Sequence, residues 1–117
     1  MKYVFPIDTL TKDNSFFRQE IITGHNSQVV IMSLKAHEDI GMEVHKADQI
    51  LVIVSGSGKA VLNNQEHSIT EGDLVMVPQG THHNITNTSN ELLKLFTVYA
   101  PAQHAVGTVD KQKPSED

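Results

Sequence analysis

The chain has 117 residues, is 38% hydrophobic and 20% charged, and carries a net charge of −5 with histidine neutral. That is enough for one folded domain and leaves little room for a second. Arg18 is the only arginine, there is no lysine cluster and no cysteine, so nucleic-acid binding, adhesion to anionic membranes, disulfides and thiolate chemistry are not expected.

Along the chain, glycine, proline and asparagine punctuate short apolar runs. The opening MKYVFPIDTL lacks the pattern of a secretory signal, and no run approaches a membrane span, so the expected location is cytoplasmic. Residues 1–15 predict an edge strand near Tyr3–Phe5 and a short turn or helix after Thr9. Phe16–Thr23 and Gln28–Lys35 predict strands, the second rich in β-branched residues. Gly41 opens a turn before a short extended piece, Glu43–His45.

Gln49–Val54 is the most apolar run. Lys59–Leu62 and Glu66–Ile69 flank Asn63-Asn64, which predicts a hairpin turn. Leu74–Val77, His83–Asn87 and Leu92–Ala100 complete roughly ten short strands, the spacing expected of an all-β sandwich or barrel. One domain is expected over residues 1–100, with a polar C-terminal tail over 101–117 whose last few residues are mobile.

The central run is apolar on both faces, with Ile50, Val52 and Val54 on one and Leu51 and Ile53 on the other. One face is expected to line a barrel interior. The other must meet a second layer or a partner subunit, which predicts a homodimer.

Seven histidines are present, and spacing separates them. Glu43 and His45 are two apart on an extended segment, so their side chains share a face. Gln49 keeps that parity if Lys46-Ala47-Asp48 does not shift register. His83 begins another strand. Two neighbouring strands can therefore bring a carboxylate, an amide oxygen and two imidazoles to one point, a donor set suited to a divalent transition ion. His82 is expected on the face opposite His83. His37 is expected in a solvated loop, and His25, His67 and His104 receive no role. Gly56, Gly72 and Gly80 fall where turns need positive φ, and Asn87 is expected to fix a strand end. Leu92, Leu93, Leu95 and Phe96 are expected in the core.

Residues 37–87 resemble the two motifs of the cupin superfamily. Gly72, Pro78, Gly80, His83 and Asn87 keep every spacing of the second motif. His37, Glu43, His45, Gln49 and Gly56 occupy the positions of the first, with three identities changed. The resemblance extends over roughly residues 15–100 and points to small single-domain bacterial cupins, the mannose-6-phosphate isomerase-like subgroup among them. It implies a double-stranded β-helix, or jelly-roll barrel, with metal ligands at Glu43, His45, Gln49 and His83.

A histidine has become Glu43 and a glutamate has become Gln49, so the set keeps one negative charge. The ion implied is manganese, iron, nickel, cobalt or zinc. The function implied is binding or transforming a small molecule in the barrel, as an isomerase or dioxygenase if an enzyme. The alternatives are a non-enzymatic ligand-binding module and a sugar-phosphate isomerase. One arginine and no glycine-rich helix start speak against the last.

Overall fold

The computed structural model describes residues 1–115. One short helix, α1 (Ile7–Asp13), precedes nine strands: β1 (Arg18–Thr23), β2 (Gln28–Leu34), β3 (Asp48–Ser55), β4 (Ser57–Leu62), β5 (Gln65–Thr70), β6 (Leu74–Val77), β7 (His83–Asn87), β8 (Leu93–Ala100) and β9 (Val109–Asp110). They form a six-stranded sheet in the order β6-β3-β8-β2-β1-β9 and a three-stranded sheet in the order β5-β4-β7. Every paired strand is antiparallel, and the arrangement is the expected jelly roll.

The core lies between the two sheets. Val30, Met32 and Leu34 on β2, Leu51 and Ile53 on β3, and Leu93 and Leu95 on β8 come from the large sheet. Ala60, Ile69 and Ile85 come from the small one. Strict alternation on these strands explains the layering, because every second residue must point into the space between the sheets. The hairpin expected at Asn63-Asn64 is present. Both residues have left-handed backbone (φ 47° and 68°), and Leu62 pairs with Gln65 across the turn. Gly56, Gly72 and Gly80 have φ of 95°, 91° and 82°, as their turn positions required.

Three expectations are corrected. Tyr3–Phe5 is not a strand: Tyr3 and Val4 are exposed, and Pro6 caps the start of α1. Leu92 is exposed and Phe96 is only partly buried, because Phe96 points to the outside of the large sheet beside Val29 and Val98. The second layer over that outer face is supplied in part by the chain itself. The N-terminal segment lies across Ile22, Val29, Phe96 and Val98, leaving a space of about 470 Å³ between Phe5 and the sheet.

The segment after Pro101, expected as a polar tail, folds back onto the barrel. The Gln28 side chain clamps it: the amide nitrogen donates to the His104 carbonyl (2.7 Å), and the amide oxygen accepts from the N–H groups of Gln103 and His104 (3.2 and 3.0 Å). β9 then pairs with β1, and Lys113 reaches Asp39 at 2.7 Å. The expected mobility of the last few residues concerns Glu116 and Asp117, which lie outside the described residues.

Candidate metal centre

Glu43, His45 and His83 come together. Each offers one ligand atom, and these atoms lie within 4.8 Å of one another. The route from sequence to this cluster runs through two local devices. Glu43 and His83 form an isolated antiparallel bridge, exchanging main-chain hydrogen bonds of 2.8 and 3.0 Å. Residues so paired share a face. Between Glu43 and Gln49 burial alternates without a break: His45, Ala47 and Gln49 are buried, while Val44, Lys46 and Asp48 are exposed. The intervening residues therefore keep register, and Gln49 faces inward with the histidines. The His45 carbonyl accepts from the Gly80 N–H (3.0 Å), which ties this segment to the turn leading into β7.

Orientation of each donor is set by a second residue. The His83 ring stands 2.9 Å from the Thr81 carbonyl through Nδ1. A carbonyl can only accept, so Nδ1 carries the proton and Nε2 keeps its lone pair. The Gln49 amide nitrogen donates to Thr97 Oγ1 at 3.1 Å, which turns its carbonyl oxygen the other way. His45 Nε2 lies 3.8 Å from a Glu43 carboxylate oxygen. The two imidazole rings are 5.0 Å apart, and the Tyr99 ring meets His45 at 5.7 Å in an edge-on arrangement. Gln49 pairs directly with Tyr99 across β3 and β8, which places it on the same inward face.

His45 Nε2, His83 Nε2 and Gln49 Oε1 are all buried with no hydrogen-bond partner among the described residues. A buried polar atom left unsatisfied costs about 1–3 kcal/mol. Three such atoms on one inward face, beside a carboxylate, form a set of lone pairs awaiting a cation. The residues present thus fit a divalent ion.

Burial raises the Glu43 carboxyl above its ordinary range, against the opposing charges of Arg18, His83 and Lys113. Burial also lowers His45, reinforced by His83 and Arg18. A neutral His45 is the form that ligates. The Tyr99 phenol is pushed well up by burial and stays protonated.

Among the other sequence candidates, His82 is exposed, as expected of the residue facing away from His83. His37 is exposed in a loop with left-handed backbone, its Nε2 3.0 Å from Asn90 Oδ1. His25 and His67 are exposed. Asn87 is fully buried, and its amide nitrogen donates to the carbonyls of Leu34, Lys35 and Glu91, so it fixes the end of β7.

His104 was missed. Its ring packs edge-on against Tyr99 at 5.3 Å, and its Nε2 is buried without a partner. Only the return of the C-terminal segment puts it there, and no local spacing announces that return.

The comparisons with known proteins agree with this architecture. The chain is 40% identical over 118 residues to YrkC of Bacillus subtilis (strain 168), covering 95% of this chain and 63% of that protein. It is 39% identical over 117 residues to a protein of Acanthamoeba polyphaga mimivirus, covering 96% of this chain and 73% of the other. The chain thus spans about two thirds of the length of these relatives. The crystal structure of BH2720 from Bacillus halodurans superposes with a TM-score of 0.94 at 37% identity, covering 97% of this chain and 91% of that one. The family model described as Cupin domain matches residues 30–99, and with the two-sheet barrel in place the chain belongs to the cupin family.

Proposed function

We propose that the protein holds one divalent transition-metal ion on Glu43, His45, His83 and Gln49, and that the ion binds a small molecule inside the barrel. One observation carries this reading: three inward-facing lone pairs, on His45, His83 and Gln49, are buried without a partner beside the Glu43 carboxylate. Manganese, iron, nickel, cobalt and zinc all accept such a set of nitrogen and oxygen donors. When bound, the ion would supply Lewis acidity toward an oxygen of the small molecule. The chain's own part is to fix the donors. Thr81 sets the tautomer of His83, and Thr97 sets the amide of Gln49. Glu43, a third of whose side chain is exposed, sits where solvent reaches the cluster.

A binding module and an enzyme share this site. The sugar-phosphate isomerase reading has less support, because a phosphate calls for several cationic donors and the chain has a single arginine. A homodimer draws support from the outer face of β3. There Ile50 pairs with Met76 and Val52 with Leu74, and both β6 residues are largely uncovered, at 45% and 62% exposure.

The test is elemental analysis of protein loaded separately with each of the five metals. About one ion per chain is expected for at least one of them, and Glu43→Ala and His83→Ala should lose it. Failure of the native chain to retain any of the five, or retention unchanged by both substitutions, would overturn the assignment.

A further inference from the structure

Arg18 is the chain's only arginine, and it points into the barrel. It pairs with Met32, which pairs with Leu95, and both partners are fully buried in the core. Directly opposed residues share a face, so the Arg18 side chain starts from the inward row. Only 14% of it is exposed. Its positive charge is felt by Glu43, His45, Tyr99 and His104, groups that line the metal cluster and its Tyr99 side.

A guanidinium buried this deeply should have its donors used. The hydrogen bond resolved for the Arg18 guanidinium runs from Nη1 to Asp110 Oδ2, at 2.9 Å. The Nε donor is buried with no partner among the described residues. Asp110 therefore meets the guanidinium at one nitrogen and leaves the Nε edge unused. His104 Nε2, beside Tyr99, is a second unpartnered buried atom on this side of the site. Of the six buried side-chain atoms that lack a partner among the described residues, three belong to the proposed ligands and two are these; the sixth is Ser33 Oγ. The lone pairs on one side want a cation. The Arg18 N–H on the other wants an acceptor, and a cationic donor bonds most strongly to an anionic one.

Resting on the metal reading above, we propose that the ligand is a small carboxylic acid, one end of which meets the metal centre while a carboxylate is held on the free Nε edge of Arg18. Arg18 is the residue that selects for charge. Asp110 orients the guanidinium and at the same time competes with the ligand for it. A phosphate-bearing ligand, which would need several cationic donors, is disfavoured by the same geometry.

Calorimetry on the metal-loaded protein tests this with matched pairs of the same size: oxalate against oxamide, malonate against malonamide and succinate against succinamide. At least one acid should bind ten-fold or more tightly than its diamide. Arg18→Gln should remove that preference, and Arg18→Lys should keep part of it, since lysine retains the charge without the fork. Asp110→Asn should tighten acid binding by releasing the guanidinium. Bound metal, measured on the same samples, should be unchanged in all three variants, which separates this proposal from the metal assignment.

The native acid and diamide comparison needs no variant to fold. Equal affinity within every pair, or no binding of any acid, would overturn the proposal, as would an acid preference that survives Arg18→Gln. Loss of metal in Glu43→Ala should weaken acid binding, and acid binding of native strength without metal would overturn the two-point arrangement.

Discussion

Glu43 and His83 face each other across an isolated antiparallel bridge, joined by two main-chain hydrogen bonds, and the same loop meets β7 again where Asp39 bridges Thr86. An ion spanning their side chains would add a side-chain link between residue 43 and β7 to these main-chain contacts. Metal should therefore stabilise the fold. At a hundred-fold excess over Kd the gain is about 2.7 kcal/mol. Thermal melts with and without the retained metal check this: Tm should rise on loading, fall back with chelator, and stay flat in Glu43→Ala.

Thr97 holds the Gln49 amide by one hydrogen bond inside the core. Thr97→Val keeps the shape and removes the acceptor, so the amide nitrogen is orphaned and the ring of donors loosens. Losing such an orienting partner costs roughly ten-fold in metal affinity. Chelator competition should show that loss, and Thr97→Ser should restore most of the affinity.

Gly58 permits the close approach of β4 to β7. A Cβ there would lie 2.2 Å from the Thr86 carbonyl oxygen, a main-chain atom that cannot move without disturbing the ladder. Gly58→Ala should cost about 1–3 kcal/mol by overpacking. Urea denaturation should show a lower midpoint with an unchanged slope.

Burial lowers His104 to a pKa of about 4, with the Arg18 charge acting in the same direction. Unfolded, the imidazole takes its proton near 6.5. Between those values the unfolded chain binds more protons than the folded one, so stability falls as pH drops from about 6.5 toward 4. His104→Gln removes this contribution. Denaturation of both proteins across that range should give a difference that shrinks steadily as the pH falls, because the native protein loses the stability and the variant does not.

The outer row of β3 and β6 gives a test of assembly. Light scattering should report twice the chain mass for the native protein. Leu74→Lys together with Met76→Lys should yield monomer at the same concentration, with the metal content unchanged. A native monomer at high concentration would remove the dimer.

Much of the site was legible because its residues obey local rules. Period-two alternation carried Glu43, His45 and Gln49 onto one face, and the Gly72–Asn87 motif placed His83 at the start of a strand. The strands Leu74–Val77 and His83–Asn87 agree with expectation to the residue. What escaped depends on long-range packing. The Tyr3–Phe5 pattern suits a strand, yet among the described residues no strand pairs with it, and Pro6 starts a helix instead. The sequence around Val109 is too short and polar to announce a strand, and β9 exists because the edge of β1 accepts it. Thr97 and Thr81 became orienting residues only through neighbours that folding supplies.

The return of β9 to β1 brings residues from the end of the chain to the interior that the central strands enclose. The metal donors all lie within the stretch matched by the family model, residues 30–99, whereas Arg18, His104 and Asp110 lie outside it. A chain cut at Pro101 would keep every proposed donor to the ion and forfeit two of those three groups. Substitutions near the ends of the polypeptide can then redraw what is admitted to the barrel without touching the proposed donors.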